Sequence, residues 1–237
     1  MTSDVLQITS LRDDKRSVHK FGYNTDVGTT EEDIWEGGGV YTWLTSPTVL
    51  YASCTAASTN SITVQGLDDK FLEQEAIVTL NGTTQVALAG TWLRVHRAFN
   101  HTGTDLSGDV YIAENAGANI TAGVPDDATQ IKLFVGQASQ QTLHSMYTIP
   151  ANFTGYLTRV RFDIASDKTA TFKFYTRIDG QVWRLKDIFS SAGNSVEVNM
   201  AMWQKLPAKC DMRAAAIGSA QPTPVTCIFD ILLVESS

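Results

Sequence analysis

Short runs of alternating apolar and polar residues recur from Ser61 to Val234, and they constrain the fold of this chain more than any other feature. The runs are rich in Val, Ile, Thr, Phe and Tyr, and Gly, Asn, Asp and Ser separate them, whereas helical periodicity is nearly absent. Short strands at this density are typical of β-sandwiches and jelly rolls. The sequence therefore predicts an all-β protein of at least seven strands, with β-sandwich or jelly-roll domains and an extended N-terminal arm.

Three stretches give this prediction detail. "EAIVTLNGTTQVAL", residues 75–88, is expected to form two strands joined at Asn81-Gly82, a pair typical of tight hairpins. "DGQVWRLKDIF" is expected to return as a hairpin strand through Asp179-Gly180. In "TGYLTRVRFDIAS", residues 154–166, a bulge after Leu157 would bring four apolar side chains to the core: Leu157, Val160, Phe162 and Ile164.

Clean alternation in "ATFKFYTRI", residues 170–178, separates two faces of one strand. One face would carry Phe172, Phe174 and Thr176, and the other Lys173, Tyr175 and Arg177.

Residues 1–45 differ from the rest of the chain, because residues 1–30 are polar and charged and show no hydrophobic face. We expect an arm that becomes ordered only against a partner chain. The predicted organisation is an attachment arm over 1–45, a first β-sandwich region over 46–137 and a jelly-roll-like region over 138–237. The two β regions form either two domains or one unit.

"EDIWEGGGVYTW", residues 32–43, is the most unusual segment. A phosphate-binding loop would need a lysine and a following helix, whereas the glycines here precede a strand-like run. A sharp change of chain direction at Gly37, Gly38 and Gly39 explains them better, because glycine adopts backbone angles that other residues avoid. We predict an attachment joint between arm and first β region, with this set of residues: Trp35, Gly37, Gly38, Gly39, Tyr41 and Trp43.

Composition limits the partners and the compartment. A net charge of −7 and a pI near 5.0 argue against nucleic acid. Acidic residues interrupt the densest basic stretch, Arg12 to Lys20. The chain has neither a run of about 20 apolar residues nor a signal peptide, so we expect no membrane partner. Its three cysteines lack metal spacing and are expected to be reduced and buried.

Catalysis is not expected. The chain has no GxSxG motif, and its histidines, His19, His96, His101 and His144, are scattered. The acidic run Glu31, Glu32 and Asp33 suits the start of a capped helical turn better than a pair of glycosidase carboxylates. We therefore predict a non-enzymatic protein without a metal or another cofactor. Trp92, Trp183 and Trp203 fit core positions, and sugar stacking remains an alternative.

Three segments of the chain resemble a group of bacteriophage structural proteins encoded among virion genes. They are "HKFGYNTDVGTTEEDIWEGGG", "GLDDKFLEQEAIVTLNGTTQV" followed by "TWLRVHRAF", and "YTIPANFTGYLTRVRF". The resemblance implies a virion protein, a head or tail accessory built from β-sandwiches and commonly trimeric. It supplies no site residues.

Together these expectations describe a decoration, cement or head-fibre subunit on the exterior of a phage capsid. Its partners would be itself, as a homotrimer, and the major capsid protein or other virion proteins, and it would assemble in the bacterial cytoplasm. The alternatives are an adaptor of the neck, collar or tail fibre, or a carbohydrate-binding receptor module of the tail. An enzyme would need two carboxylates that converge in a cleft.

Overall fold

The computed structural model describes residues 15–114, 120–165 and 167–236. Within these residues the regular structure is strand, apart from one 3-10 turn at Ala128–Gln130. The predicted all-β class with at least seven strands is confirmed. The eighteen strands are β1 Lys15–Val27, β2 Glu32–Asp33, β3 Leu50–Cys54, β4 Ser61–Leu67, β5 Glu73–Thr79, β6 Val86–Ala87, β7 Arg94–Asn100, β8 Val110–Glu114, β9 Ile120–Thr121, β10 Val124–Pro125, β11 Ile131–Val135, β12 Met146–Thr148, β13 Phe153–Ile164, β14 Thr169–Ile178, β15 Arg184–Ala192, β16 Val196–Leu206, β17 Cys210–Gly218 and β18 Thr223–Glu235.

The larger hydrophobic core joins two sheets. One has the strand order β1-β18-β13-β16, and the other has the order β12-β17-β14-β15, with β2 paired to β17. Phe162 of β13 stacks on Phe172 of β14 at 4.7 Å between ring centroids, and Phe229 of β18 meets Phe174 edge-on at 5.5 Å. The apolar faces of the two sheets are therefore buried against each other.

Strands β13 and β14 follow the predicted alternation. Leu157, Val160 and Phe162 are buried in the core and Ile164 packs against it. The register shifts between Leu157 and Arg159, as the predicted bulge requires. In β14 the face of Phe172, Phe174 and Thr176 is buried. The hairpin between β14 and β15 also forms, and Gly180 in its turn has a φ of +74°.

A second core lies within residues 44–135. Its sheets have the strand orders β11-β8-β3-β6 and β5-β4-β7, and β9 and β10 form a separate two-stranded ladder. Trp92 lies fully buried in this core beside Leu50 and Ile112. In chain order, these sheets fall between β2 and β12, so the second core interrupts the strands that build the first.

The predicted hairpin at Asn81-Gly82 is wrong in its pairing. The turn forms, with Gly82 at a φ of +55° and the Thr84 amide donating to the Asn81 carbonyl at 3.0 Å. The flanking strands then separate, because β5 pairs with β4 while β6 pairs with β3. A strong local turn signal sets the backbone of the turn but does not choose the partner of each strand.

The prediction of an extended arm that waits for a partner is wrong for residues 15–27. Residues 15–27 form β1, which pairs antiparallel with β18 from Lys15 opposite Val234 to Val27 opposite Thr223. This part of the segment is ordered against its own chain and does not wait for a partner. The polar residues of β1 agree with its place in the sheet, because β1 is an edge strand. Residues 1–14 lie outside the described residues, and the boundaries at 45 and 137 remain predictions.

All three cysteines, Cys54, Cys210 and Cys227, are free and buried, as predicted. Burial raises the pKa of the Cys210 thiol to about 12, so this side chain is neutral at physiological pH. Among the described residues, no helix has the length and apolar character that a membrane span requires.

Candidate functional site: the glycine joint and its buried ions

The joint segment adds to a sheet at its beginning. Glu32 and Asp33 pair with Ala216 and Ala215 of β17, and the Ile34 amide donates to the Ala214 carbonyl at 2.9 Å. The predicted helical turn at Glu31–Asp33 is therefore wrong. The backbone of β17 offers this segment a ladder of hydrogen bonds, and no local capping signal reveals that partner.

The three glycines form a tight loop that the preceding acids close. Gly38 and Gly39 have φ values of +69° and +64°, and the Asp33 amide donates to the Gly39 carbonyl at 3.0 Å. The Gly39 amide in turn donates to Glu32 Oε2 at 3.1 Å. A Cβ on Gly37 would lie 2.3 Å from the ring of Trp35. The chain reversal predicted from the glycines is present, and each glycine has its own steric reason.

Aromatic side chains follow on both sides of this loop. The rings of Trp35 and Tyr41 meet edge-on at 5.4 Å, and those of Tyr41 and Trp43 do so at 5.2 Å. Trp43 also lies 5.3 Å from Trp183, which follows β14. The structure thus brings together Trp35, Tyr41 and Trp43. Trp35 and Tyr41 are also buried against Ile131 of β11 and Met146 of β12. The loop is therefore packed against strands from the sheets of both cores.

The acidic residues before the loop bind cations of β14 and β17. Arg213 donates to Glu31 Oε1 at 3.1 Å and to Asp33 Oδ1 at 2.5 Å. Lys173 and Tyr175 donate to Glu31 Oε2 at 2.8 and 2.9 Å. Burial would raise the pKa of Glu31, but the hydrogen bonds from Lys173 and Tyr175 and the nearby cations outweigh it and lower that pKa. Glu31 is therefore held as a carboxylate.

A second ion group, centred on Asp211, connects the two cores. Asp211 is fully buried on β17, and Arg94, also buried, begins β7 in the other half of the molecule. Arg94 Nε donates to Asp211 Oδ1 at 2.8 Å and its Nη2 to Oδ2 at 3.0 Å. Arg177 Nε donates to Oδ2 at 2.8 Å, and Thr148 Oγ1 donates to Oδ1 at 2.6 Å. Four hydrogen bonds therefore hold one buried carboxylate.

These two ion groups connect segments that are distant in the sequence. Glu31 and Asp33 are bound by Arg213, whereas Glu32 accepts from the Gly39 amide and Glu36 accepts from the Ser139 hydroxyl. Across the described ranges, His, Cys, Asp and Glu side chains do not gather in groups of three that could hold a metal. His96 and His144 are both buried, and burial lowers their pKa values well below the ordinary value.

The tryptophans considered for sugar stacking have different environments. Trp92 is a core residue, Trp183 is half-buried against Trp43, and Trp203 on β16 is exposed. They lie on separate elements, and the structure does not gather them into one platform. Sequence reasoning missed Arg94 and Asp211, whose pairing has no local signal because 117 positions separate them.

We expect Gly38→Ala to lower the free energy of unfolding by about 1–2 kcal/mol. The space around Gly38 is open, so the cost comes from placing a Cβ at positive φ and not from a clash. Urea denaturation measures the effect. Gly38→Asn should cost less, because asparagine tolerates this conformation better, and equal losses for the two variants would contradict the explanation.

Comparisons with known proteins add little beyond this geometry. No protein-family model matches the chain, and a search of curated proteins found no relative. A structure of infectious bursal disease virus, Gx strain, is similar at 10% identity and a TM-score of 0.25, over 94% of this chain and 72% of that chain. The Gt strain gives 8% identity and a TM-score of 0.21, over 95% and 78%. An oxalate decarboxylase of Bacillus subtilis gives 8% identity and 0.15, over 94% and 73%. Scores this low support no inference about fold or function.

Proposed function

We propose that this protein is a non-enzymatic structural component of a bacteriophage particle that attaches to the capsid exterior as a decoration, cement or head-fibre subunit. The resemblance of its sequence to phage structural proteins supplies the class of particle. The structural support for the proposal is the order in which the strands of the larger core pair with one another.

Eight strands pair in a nested order. The outermost pair is β1 with β18, followed inward by β12 with β17, β13 with β16, and β14 with β15. These pairs alternate between the two sheets of the larger core. We infer that the eight strands form a jelly roll, an architecture used by viral capsid and lectin domains and by cupins. The nested order supports this inference without depending on any similarity score.

The joint is the proposed contact with the particle. Val40 follows the three glycines and is 63% exposed, although the aromatic residues beside it are buried. Glu32 and the ring of Trp35 hold the loop in one shape, so Val40 is presented at little entropic cost. An apolar side chain fixed in this way suits docking into a pocket on another virion protein.

A second exposed apolar region supports self-association. The strand β15 lies at the edge of its sheet, and Leu185 and Ile188 on it are 47% and 56% exposed. Val182, just before this strand, is 75% exposed. Exposed edge strands usually need cover, and neighbouring subunits of a homotrimer would provide it.

A decorating subunit stabilises a shell when it binds the assembled lattice and not the free capsomer. Each occupied site then contributes about 2.7 kcal/mol when the free subunit is at a hundred times its Kd. This linkage requires no chemistry from the subunit.

We expect Val40→Asp to weaken co-sedimentation with assembled capsids by at least tenfold and to leave the thermal unfolding temperature unchanged. A charge at an exposed position does not disturb folding, but it would be buried unpaired in the docked state. The matched control is Leu72→Asp, which changes an exposed leucine elsewhere. Equal binding by the two variants would reject the joint as the contact.

The position on the particle is tested by copy number. Quantitative mass spectrometry of purified virions, with immunogold labelling, should find hundreds of copies on the head. A dozen copies or fewer, labelled at the neck, collar or tail fibre, would replace head decoration with an adaptor or a receptor module.

A further inference from the structure

A groove of about 830 Å³ lies between β1 and the sheet β5-β4-β7, where the two cores meet. Its walls come from five strands and from the segment that leads into β12. Most of the neutral side chains are polar: Ser17, Gln65, Gln74, Gln141 and Thr142. Its size suits a small ligand.

Two cations in this groove have no carboxylate partner among the described residues. Lys20 is only 8% exposed, and its Nζ donates to the His96 carbonyl at 2.6 Å. That is the one acceptor found for its three protons within the described chain. Arg97, on the neighbouring strand β7, donates to Gln141 Oε1 at 3.1 Å. Neither side chain takes part in an ion pair of the described residues.

The acidic residues of the groove are already bound to other side chains of the groove. Glu73 pairs with Arg16, and Glu75 Oε2 accepts from Gln65 at 2.8 Å. Burying a cation without a partner is costly, and proteins usually pair such groups. The surroundings of Lys20 therefore suit an anionic partner that comes from outside the chain.

We propose that this groove binds a small hydroxylated carboxylic acid, such as a sugar acid, whose carboxylate is held between Lys20 and Arg97. A carboxylate brings one negative charge, which suits a site where Glu73 and Glu75 would repel a dianion. The amide and hydroxyl side chains along the walls can exchange hydrogen bonds with the ligand's hydroxyl groups. The inference does not depend on the role proposed for the joint.

Binding of the carboxylate should also be accompanied by uptake of a proton by Lys20. Burial, together with the nearby charge of Arg97, lowers the pKa of Lys20 to about 7, so Lys20 in the free site is largely neutral at pH 8. A bound carboxylate favours the ammonium form, so binding should weaken as the pH rises from 6 to 8. His96, behind Lys20, and His144, close by, stay neutral in this range because burial lowers their pKa values. The other charged or titratable side chains around the groove are Arg16 and His19 of β1, Glu73 and Glu75 of β5, Arg97 of β7 and Tyr147 of β12.

Isothermal titration of the full chain with glucuronate, glucose and inorganic phosphate tests the proposal. We expect glucuronate to bind at least tenfold more tightly than glucose and phosphate, with uptake of close to one proton at pH 8. Lys20→Met should reduce glucuronate binding by at least tenfold and abolish the proton uptake. Lys186→Met, which removes a lysine from the exposed strand β15, is the control and should bind normally.

Three results would overturn the proposal: no glucuronate binding, equal binding of glucose or phosphate, or unchanged binding by Lys20→Met. Should Lys20→Met fail to fold, Arg97→Gln provides the second test, because Arg97 is exposed and its loss leaves the core intact. Arg97→Gln should also weaken glucuronate binding by about tenfold, and unchanged binding would count against the site.

Discussion

Asp211→Ala is expected to lower the free energy of unfolding by about 3–5 kcal/mol, the range for breaking a buried ion pair by removing one partner. Asp211 accepts hydrogen bonds from Arg94, Arg177 and Thr148 and is fully buried. Its loss leaves Arg94 as a buried cation that retains two backbone carbonyls and a weaker contact with Asp179 at 3.5 Å. Arg94 connects the two cores, so the damage should reach both.

Urea denaturation measures this effect, with the midpoint and the slope followed separately. Asp167→Ala is the control, because Asp167 is 76% exposed and lies 3.9 Å from Lys168. An exposed pair of this kind is worth no more than about 1 kcal/mol. A loss below 1 kcal/mol for Asp211→Ala would mean that this ion group contributes little to holding the two cores together.

Gly22→Ala is the second large effect, with an expected loss of about 3 kcal/mol from overpacking. A Cβ at Gly22 would lie 2.4 Å from the Ile34 carbonyl oxygen and 2.6 Å from the Ser145 amide nitrogen. Both atoms belong to backbone, and the Ser145 amide donates to the Ile34 carbonyl at 3.2 Å. The added methyl can therefore be accommodated only if β1 moves away from this crossing.

Thermal unfolding followed by circular dichroism checks the prediction. Gly103→Ala provides the comparison, because no heavy atom of the described structure lies within 4 Å of a Cβ at that position. We expect its unfolding temperature to match that of the unchanged protein. If Gly22→Ala behaves like Gly103→Ala, β1 is not packed against the rest of the chain, and the predicted independent arm is correct.

Most of the fold that could be predicted followed from the local alternation of apolar and polar residues. Phe172 and Phe174 point inward because residues two apart share a face of a strand, and the bulge after Leu157 follows from a break in that period. The prediction was wrong where the outcome depended on distant partners. Asn81-Gly82 forms its turn, yet its two strands join different sheets.

The joint shows the same limit. Gly38 and Gly39 could be assigned to a chain reversal from residue type alone, since glycine accepts positive φ. The sequence predicts a helical turn at Asp33, and this is wrong because the partners of Asp33 in β17, including Arg213, lie about 180 positions away and leave no local signal. The sequence also predicts a solvated arm around Lys20, whereas this side chain is buried and donates to the His96 carbonyl. A polar segment can be a strand whose cover comes from another part of the chain.

The pairing of β1 with β18 also sets the order of events during synthesis. Lys15 leaves the ribosome long before Val234, its partner, has been translated. The core within residues 44–135 can form in the meantime, whereas β1 must stay unpaired until the last strand appears. A sheet with such distant contacts closes slowly. The basic residues at the start of β1, Lys15, Arg16, His19 and Lys20, would protect the waiting strand from pairing with other nascent chains.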